Sequence, residues 1–196
     1  MSKKSGLAFL VIVSLGLIVL FLLLPKIPSS LKEKADQPID ADSLKLMQAI
    51  ELVNGPNPME GITMLREILS KDSMNVEANY WLGVFSVQSG QLDKAVSRFN
   101  KVLSVNPNYL AAHIDMGSMY MEMDSVNKAL ECFQKGIAID STNNFALLFA
   151  ARAQEQLGQY EEAKKNFEQL LRHNSDTVVV KRVKEYINNI ETKLNP

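Results

Sequence analysis

At 196 residues the chain has room for one ordinary domain or a short repeat array. It carries 21 basic and 22 acidic residues, but residues 1–34 hold five lysines against one glutamate, so the remainder is acidic by five charges and nucleic acid is excluded as its main partner. One cysteine, Cys132, excludes an internal disulfide, and His113 and His173 lack a Cys or second His at metal-ligand spacing, so no metal or other cofactor is expected.

The first element is an apolar run. A short basic tail with Lys3 and Lys4 leads into Leu7–Leu24, which is 18 residues long and uncharged. At about 1.5 Å per residue it spans roughly 27 Å, the depth of a bilayer's hydrocarbon core. It is long for a signal peptide, and Pro25-Lys26-Ile27-Pro28 follows it instead of a small-residue cleavage site. Residues 1–24 are therefore expected to be a retained transmembrane anchor. The Lys pair on so short a tail places the N-terminus inside and the rest outside, which in a bacterium means an inner-membrane protein facing the periplasm. Residues 25–41 hold three prolines, several charges and few large apolar side chains, and read as a tether.

From position 42 the chain repeats itself every 34 residues. The phrases DKAVSRF, NKALECF and EEAKKNF start at Asp93, Asn127 and Glu161. Leu82-Gly83, Met116-Gly117 and Ala150-Ala151 occupy one place; Ala95, Ala129 and Ala163 another; Phe99, Phe133 and Phe167 a third. Within each copy the apolar residues recur at helical intervals on two stretches, separated by a turn such as Ser89-Gly90-Gln91 and closed by one such as Asn106-Pro107-Asn108. The copies are 42–75, 76–109, 110–143 and 144–177. The first is disguised: Leu44, Met47, Ile50 and Leu52-Val53 are expected to form its apolar face, with Gly61 and Leu65 in phase with Ala95 and Phe99. Residues 178–196 add a helix striped by Val179, Val183, Tyr186, Ile187 and Ile190, expected to cover the open end of the stack. Its Lys181, Arg182 and Lys184 read as a solvated face.

The length, turn and pattern of these copies resemble the tetratricopeptide repeat, a two-helix unit that buries its apolar face only by stacking on neighbours. The resemblance implies an all-α architecture: a transmembrane helix, then a solenoid of about four hairpins, then a capping helix. It also implies a concave groove lined by the first helix of each hairpin. Carried over by phase, that groove presents Leu46, Ile50 and Val53, then Tyr80, Val84 and Val87, then Ile114, Ser118 and Met121, then Leu148, Arg152 and Glu155. Tyr80, Val84, Ile114, Met121, Leu148 and Arg152 are the candidate protein-binding residues. Relatives that hold chaperone tails use a carboxylate clamp, but here Leu46, Ile50, Trp81, Asp115 and Phe149 lie in or beside the clamp's places. An apolar extended or helical segment of a protein partner suits this groove better.

No glycine-rich phosphate loop or nucleophile elbow is present, so neither an enzyme nor a small-molecule substrate is expected. The layout of one span followed by repeats is similar to that of bacterial YfgM-type accessory proteins of the Sec translocon, which implies a periplasmic accessory of protein translocation or envelope protein folding. An assembly factor for cytochrome c maturation or another envelope complex has the same layout. So does a structural subunit docked by its convex face.

Overall fold

The computed structural model describes residues 41–194; the expected anchor and residues 25–40 of the expected tether lie outside them. The described residues form helices only: α1 (Ala41–Val53), α2 (Pro58–Lys71), α3 (Val76–Gln88), α4 (Leu92–Val105), α5 (Leu110–Glu122), α6 (Val126–Ile139), α7 (Asn144–Gln156), α8 (Tyr160–His173) and α9 (Thr177–Leu194). None of these is long and apolar enough to cross a membrane. The pairs α1/α2, α3/α4, α5/α6 and α7/α8 are hairpins, and each second helix packs against the next hairpin.

The turns explain why the helices stop where they do. Asp72, Asn106, Asp140 and Asn174 stand 34 residues apart at the ends of the second helices. Their side chains accept the backbone N–H two residues on, from Met74, Asn108, Thr142 and Asp176, at 2.9–3.1 Å. This Asx turn redirects the chain into the next first helix. Asn75 and Asn143 then cap α3 and α7, each side chain accepting an N–H from the first turn at 3.0 Å. Inside the hairpins the turn residue takes a left-handed conformation: Gly90 at φ 72°, Asp124 at φ 54° and Gly158 at φ 74°. The N–H that follows it reaches back to the carbonyl of Ser86, Tyr120 or Gln154 at 2.8 Å and closes the first helix.

Inside the second, third and fourth hairpins a ring fills the gap between two small residues. Phe99, Phe133 and Phe167 are fully buried, as are Ala95, Ala129 and Ala163. Gly83 and Gly117 face the rings so closely that a methyl on either would overlap them; a Cβ on Gly83 would sit 2.8 Å from Phe99 Cε1. The first hairpin exchanges the sizes. Ala49 takes the glycine's place, Leu65 the ring's, and Gly61 the alanine's, where a Cβ would come within 2.6 Å of the α1 backbone.

One place on the first helices, three residues before Leu82, Met116 and Ala150, is polar in two copies. Buried Asn79 donates to the carbonyls of Ser73 and Asn75, at 3.0 and 2.8 Å. His113, one repeat later, contacts the Pro107 carbonyl through Nε2 at 2.8 Å. In the fourth copy Leu147 is apolar, and Gln169 reaches across to donate to the equivalent Ser141 carbonyl at 2.6 Å. The same inter-hairpin carbonyl is thus satisfied by three different side chains. Cys132 lies in the core, where burial raises its thiol pKa above the ordinary range.

One expectation needs correcting. On α1, Leu46, Ala49 and Val53 join the core of the first two hairpins, but Leu44 and Met47 are 52% and 60% exposed. Their counterparts one repeat later, Ala78 and Trp81, pack back onto the preceding hairpin. No preceding hairpin exists among the described residues, so the same two positions face outward on α1.

At the other end, α9 takes the place of the next first helix. Val183 and Ile190 are buried against Leu147, Ala151, Phe167 and Leu170, and Tyr186 stacks on Phe167 at 5.4 Å between centroids. Lys181, Arg182 and Lys184 are exposed.

Candidate functional site

The first helices α3, α5 and α7 carry the six candidate groove residues at equivalent places. Tyr80, Val84, Ile114, Met121 and Leu148 are half-buried and Arg152 is exposed. The structure gathers four of them into two groups and sets Ile114 and Met121 apart.

Tyr80 and Val84 belong to the seam between α3 and α5, whereas Ile114 lies toward Gly136 of α6, where a Cβ would come within 3.8 Å of its Cγ1. Tyr80 Oη donates to Asp115 Oδ2 at 2.8 Å. One repeat apart in the opposite direction, Tyr109 Oη donates to both Glu77 carboxylate oxygens at 3.0 and 3.1 Å. The two tyrosine rings lie 5.0 Å apart, and Tyr80 also meets Phe99 at 6.1 Å. Burial first, then the facing carboxylates, push both phenols well above the usual tyrosine range. They act here as donors only. Burial also raises the Asp115 carboxyl, a trend that the Tyr80 hydrogen bond opposes. Among the described residues neither Glu77 nor Asp115 forms an ion pair. The seam therefore offers two carboxylates, two phenol rings and the apolar side chain of Val84. That combination is suited to a cation flanked by apolar groups.

Leu148 and Arg152 belong to the other group. With Val178, Val179, Arg182, Val183 and Tyr186 they line a recess of about 250 Å³ between α7 and α9. Arg152 Nη1 donates to Tyr186 Oη at 3.1 Å, with its guanidinium 5.1 Å from that ring. Glu155, also expected in the groove, pairs with Lys193 at 2.9 Å. Arg152, the one cation among the candidate protein-binding residues, is thus engaged by the chain's own last helix. Position 152 meets α9 because α9 follows α7 as another first helix would. Met121 turns toward the core of α6 and α7. Of the two aromatic residues at the clamp places, Trp81 packs in the core of the first two hairpins, and Phe149 stacks on Phe133 at 5.5 Å.

Sequence reasoning missed Glu77 and Tyr109 as members of the site. A signal for them exists: each acid–tyrosine pair, Glu77 with Tyr109 and Tyr80 with Asp115, is separated by nearly one repeat length, the spacing that brings neighbouring first helices into contact. No group of three or more His, Cys, Asp or Glu able to hold a metal occurs among the described residues.

The tetratricopeptide-repeat profiles match residues 46–109, 86–144 and 146–177. Superkiller complex protein 3 of Homo sapiens is 24% identical over 148 residues, covering 74% of this chain and 10% of that protein. A Saccharomyces cerevisiae protein, essential for maintenance of the cell wall protein 1, is 23% identical over 92 residues, covering 47% of this chain and 10% of that protein. The chain spans about a tenth of the length of these relatives. Among solved structures, MamA from Desulfovibrio magneticus RS-1 superposes with a TM-score of 0.68 at 16% identity, covering 81% of this chain and 88% of that one. A second MamA structure gives 0.62 at 25% identity over 71% of this chain and 81% of that one. These are likenesses of fold. Three matched segments that together cover residues 46–144 and 146–177, two thirds of the chain, show that it belongs to the tetratricopeptide-repeat family.

Proposed function

We propose that this protein is a membrane-anchored adaptor that holds a segment of a partner protein on the first-helix face of its second and third hairpins. The family supports protein–protein interaction. The observation that carries the finer reading is the seam between α3 and α5, where the Glu77 and Asp115 carboxylates meet no cation among the described residues and share the seam with half-buried Tyr80 and Val84. An apolar extended or helical segment bearing one Lys or Arg complements that surface. The uncharged run 7–24 supplies the anchor and the Lys3-Lys4 tail the orientation, so the array faces the periplasm. The layout, similar to YfgM-type proteins, makes it an accessory of protein translocation or envelope protein folding.

The test replaces Tyr80 and Val84 together by Ser in the full chain. Partners are then recovered from detergent-solubilised membranes and quantified by mass spectrometry. Recovery falls about tenfold or more, because two anchors at about 1–2 kcal/mol each suffice. Circular dichroism first establishes that the variant is folded. The control replaces only Lys181 and Lys184 by Gln, since Arg182 shares a recess with Leu148. A folded groove variant that keeps its partners would overturn the reading.

A further inference from the structure

On the side of the array built from second helices, α2 and α4 enclose a recess of about 230 Å³ over α3. Arg66, Lys94, Arg98 and Lys101 line it, with Ser86, Gln91 and Ser97, and no Asp or Glu does. Gathering four cations in one place costs electrostatic free energy in any chain. It is conspicuous in an array that is acidic overall. Four cations elsewhere, Lys45, Lys71, Lys164 and Lys193, pair with a carboxylate within 2.9 Å, while others such as Lys128, Lys135 and Lys165 form no ion pair among the described residues; what sets the recess apart is four cations in one place. Among the described residues none of the four recess cations forms an ion pair.

The recess is also pre-arranged. Arg98 is half-buried, and its Nη1 donates to Asn79 Oδ1 at 2.9 Å. Asn79 is itself fully buried and fixed by its two carbonyl bonds, so the guanidinium is held from behind with its remaining N–H groups directed elsewhere. Lys94 Nζ is steadied by Gln91 Oε1 at 2.6 Å. Burial, and then the Arg66 charge, hold Arg98 below the usual arginine range, as expected of two like charges sharing a small space. Two guanidinium forks and two ammonium groups match the several oxygens and negative charge of a phosphoryl group. The volume falls below the roughly 300–1,000 Å³ of sites that enclose whole organic ligands, so one anionic group fits it and a nucleotide does not.

We propose that the Arg66–Lys94–Arg98–Lys101 recess binds a phosphoryl group, supplied either as free phosphate or by the head group of an anionic phospholipid.

The experiment uses the full chain in an uncharged detergent and follows its melting temperature at constant ionic strength, with chloride as the balancing anion. Inorganic phosphate is titrated in one arm. In the other, short-chain phosphatidylglycerol is titrated against phosphatidylcholine in mixed micelles. The proposal expects a saturable rise in at least one arm. Arg66→Gln with Lys101→Gln weakens the midpoint concentration tenfold or more, and Lys94→Gln alone weakens it about threefold. Both variants leave Arg98 and Asn79 in place, so the fold is kept. A rise with phosphatidylglycerol that exceeds the phosphate response assigns the source to lipid, and the reverse assigns it to free phosphate. The proposal is overturned if neither anion acts beyond chloride, or if the double variant keeps the wild-type midpoint.

Discussion

Gly117 and Phe133 show how little freedom a single position has in this array. A Cβ on Gly117 would overlap the Phe133 ring edge, with Cδ1 and Cζ both at 2.7 Å. Gly117→Ala therefore costs about 1–3 kcal/mol by overpacking, and Phe133→Ala about 3–5 kcal/mol by leaving a cavity. Combining Gly117→Ala with Phe133→Leu recovers part of the first loss, because the first hairpin already pairs Ala49 with Leu65 at the same two places. Urea denaturation of the three variants checks this; a double variant no more stable than Phe133→Leu and Gly117→Ala summed would refute the fit. The fourth hairpin keeps Ala151 opposite Phe167, so a glycine that faces a ring belongs to the second and third hairpins alone. Asp115 raises a different issue at the same scale. Burial lifts its folded pKa, so ionisation costs the native state stability. The penalty vanishes below the ordinary carboxyl value, where both states are protonated, and is complete above the raised value. Tyr80, Tyr109 and Glu77 are the other titratable groups in the seam, and none of them supplies a cation. Asp115→Asn keeps an oxygen to accept from Tyr80, so it melts higher than the parent at about pH 7. That advantage disappears at about pH 3.

At the scale of elements, α9 is where the boundary between scaffold and site falls. Ile190 is fully buried against the fourth hairpin, and Ile190→Ala is expected to cost about 2–5 kcal/mol. Lys184→Gln, on the exposed side of the same helix, stays within about 0.5 kcal/mol. Denaturant midpoints of the two variants measure the difference; equal effects would mean that α9 is not an integral part of the stack. The hairpins themselves were legible in the sequence because each depends on local rules that recur: an Asx turn, a left-handed turn residue, a small residue opposite a ring. The stripe on α9 was legible for the same reason. The site was legible only in part. Periodicity places Tyr80, Ile114 and Leu148 at one phase, yet it does not reveal which neighbour each phase meets. Leu148 and Arg152 meet α9, which exists once, whereas Tyr80 meets Asp115 through a contact that no later copy repeats, since Phe149 stands in its place. Leu44 and Met47 were misread for the converse reason: their phase is a buried one only where another hairpin precedes.

For the whole molecule, the phosphoryl recess and the groove lie on opposite sets of helices, second and first, so one array can meet a partner and an anionic group together. Which compartment supplies them depends on orientation, and the chain provides its own reporter for that question. Its one native thiol, Cys132, is only 8% exposed, and burial raises its pKa, so little thiolate is available at neutral pH. A cysteine introduced by Ser30→Cys, six residues past the apolar run, is then the single reactive thiol of the folded protein. With the N-terminus inside, as the Lys3-Lys4 tail predicts, a membrane-impermeant maleimide labels Ser30→Cys in intact cells whose outer envelope has been made permeable. The parent stays unlabelled under the same conditions and becomes reactive only after denaturation, which exposes Cys132. Labelling of Ser30→Cys only after lysis would reverse the topology. The array would then meet cytosolic partners, and the Tyr80–Asp115 seam would have to be tested against those instead.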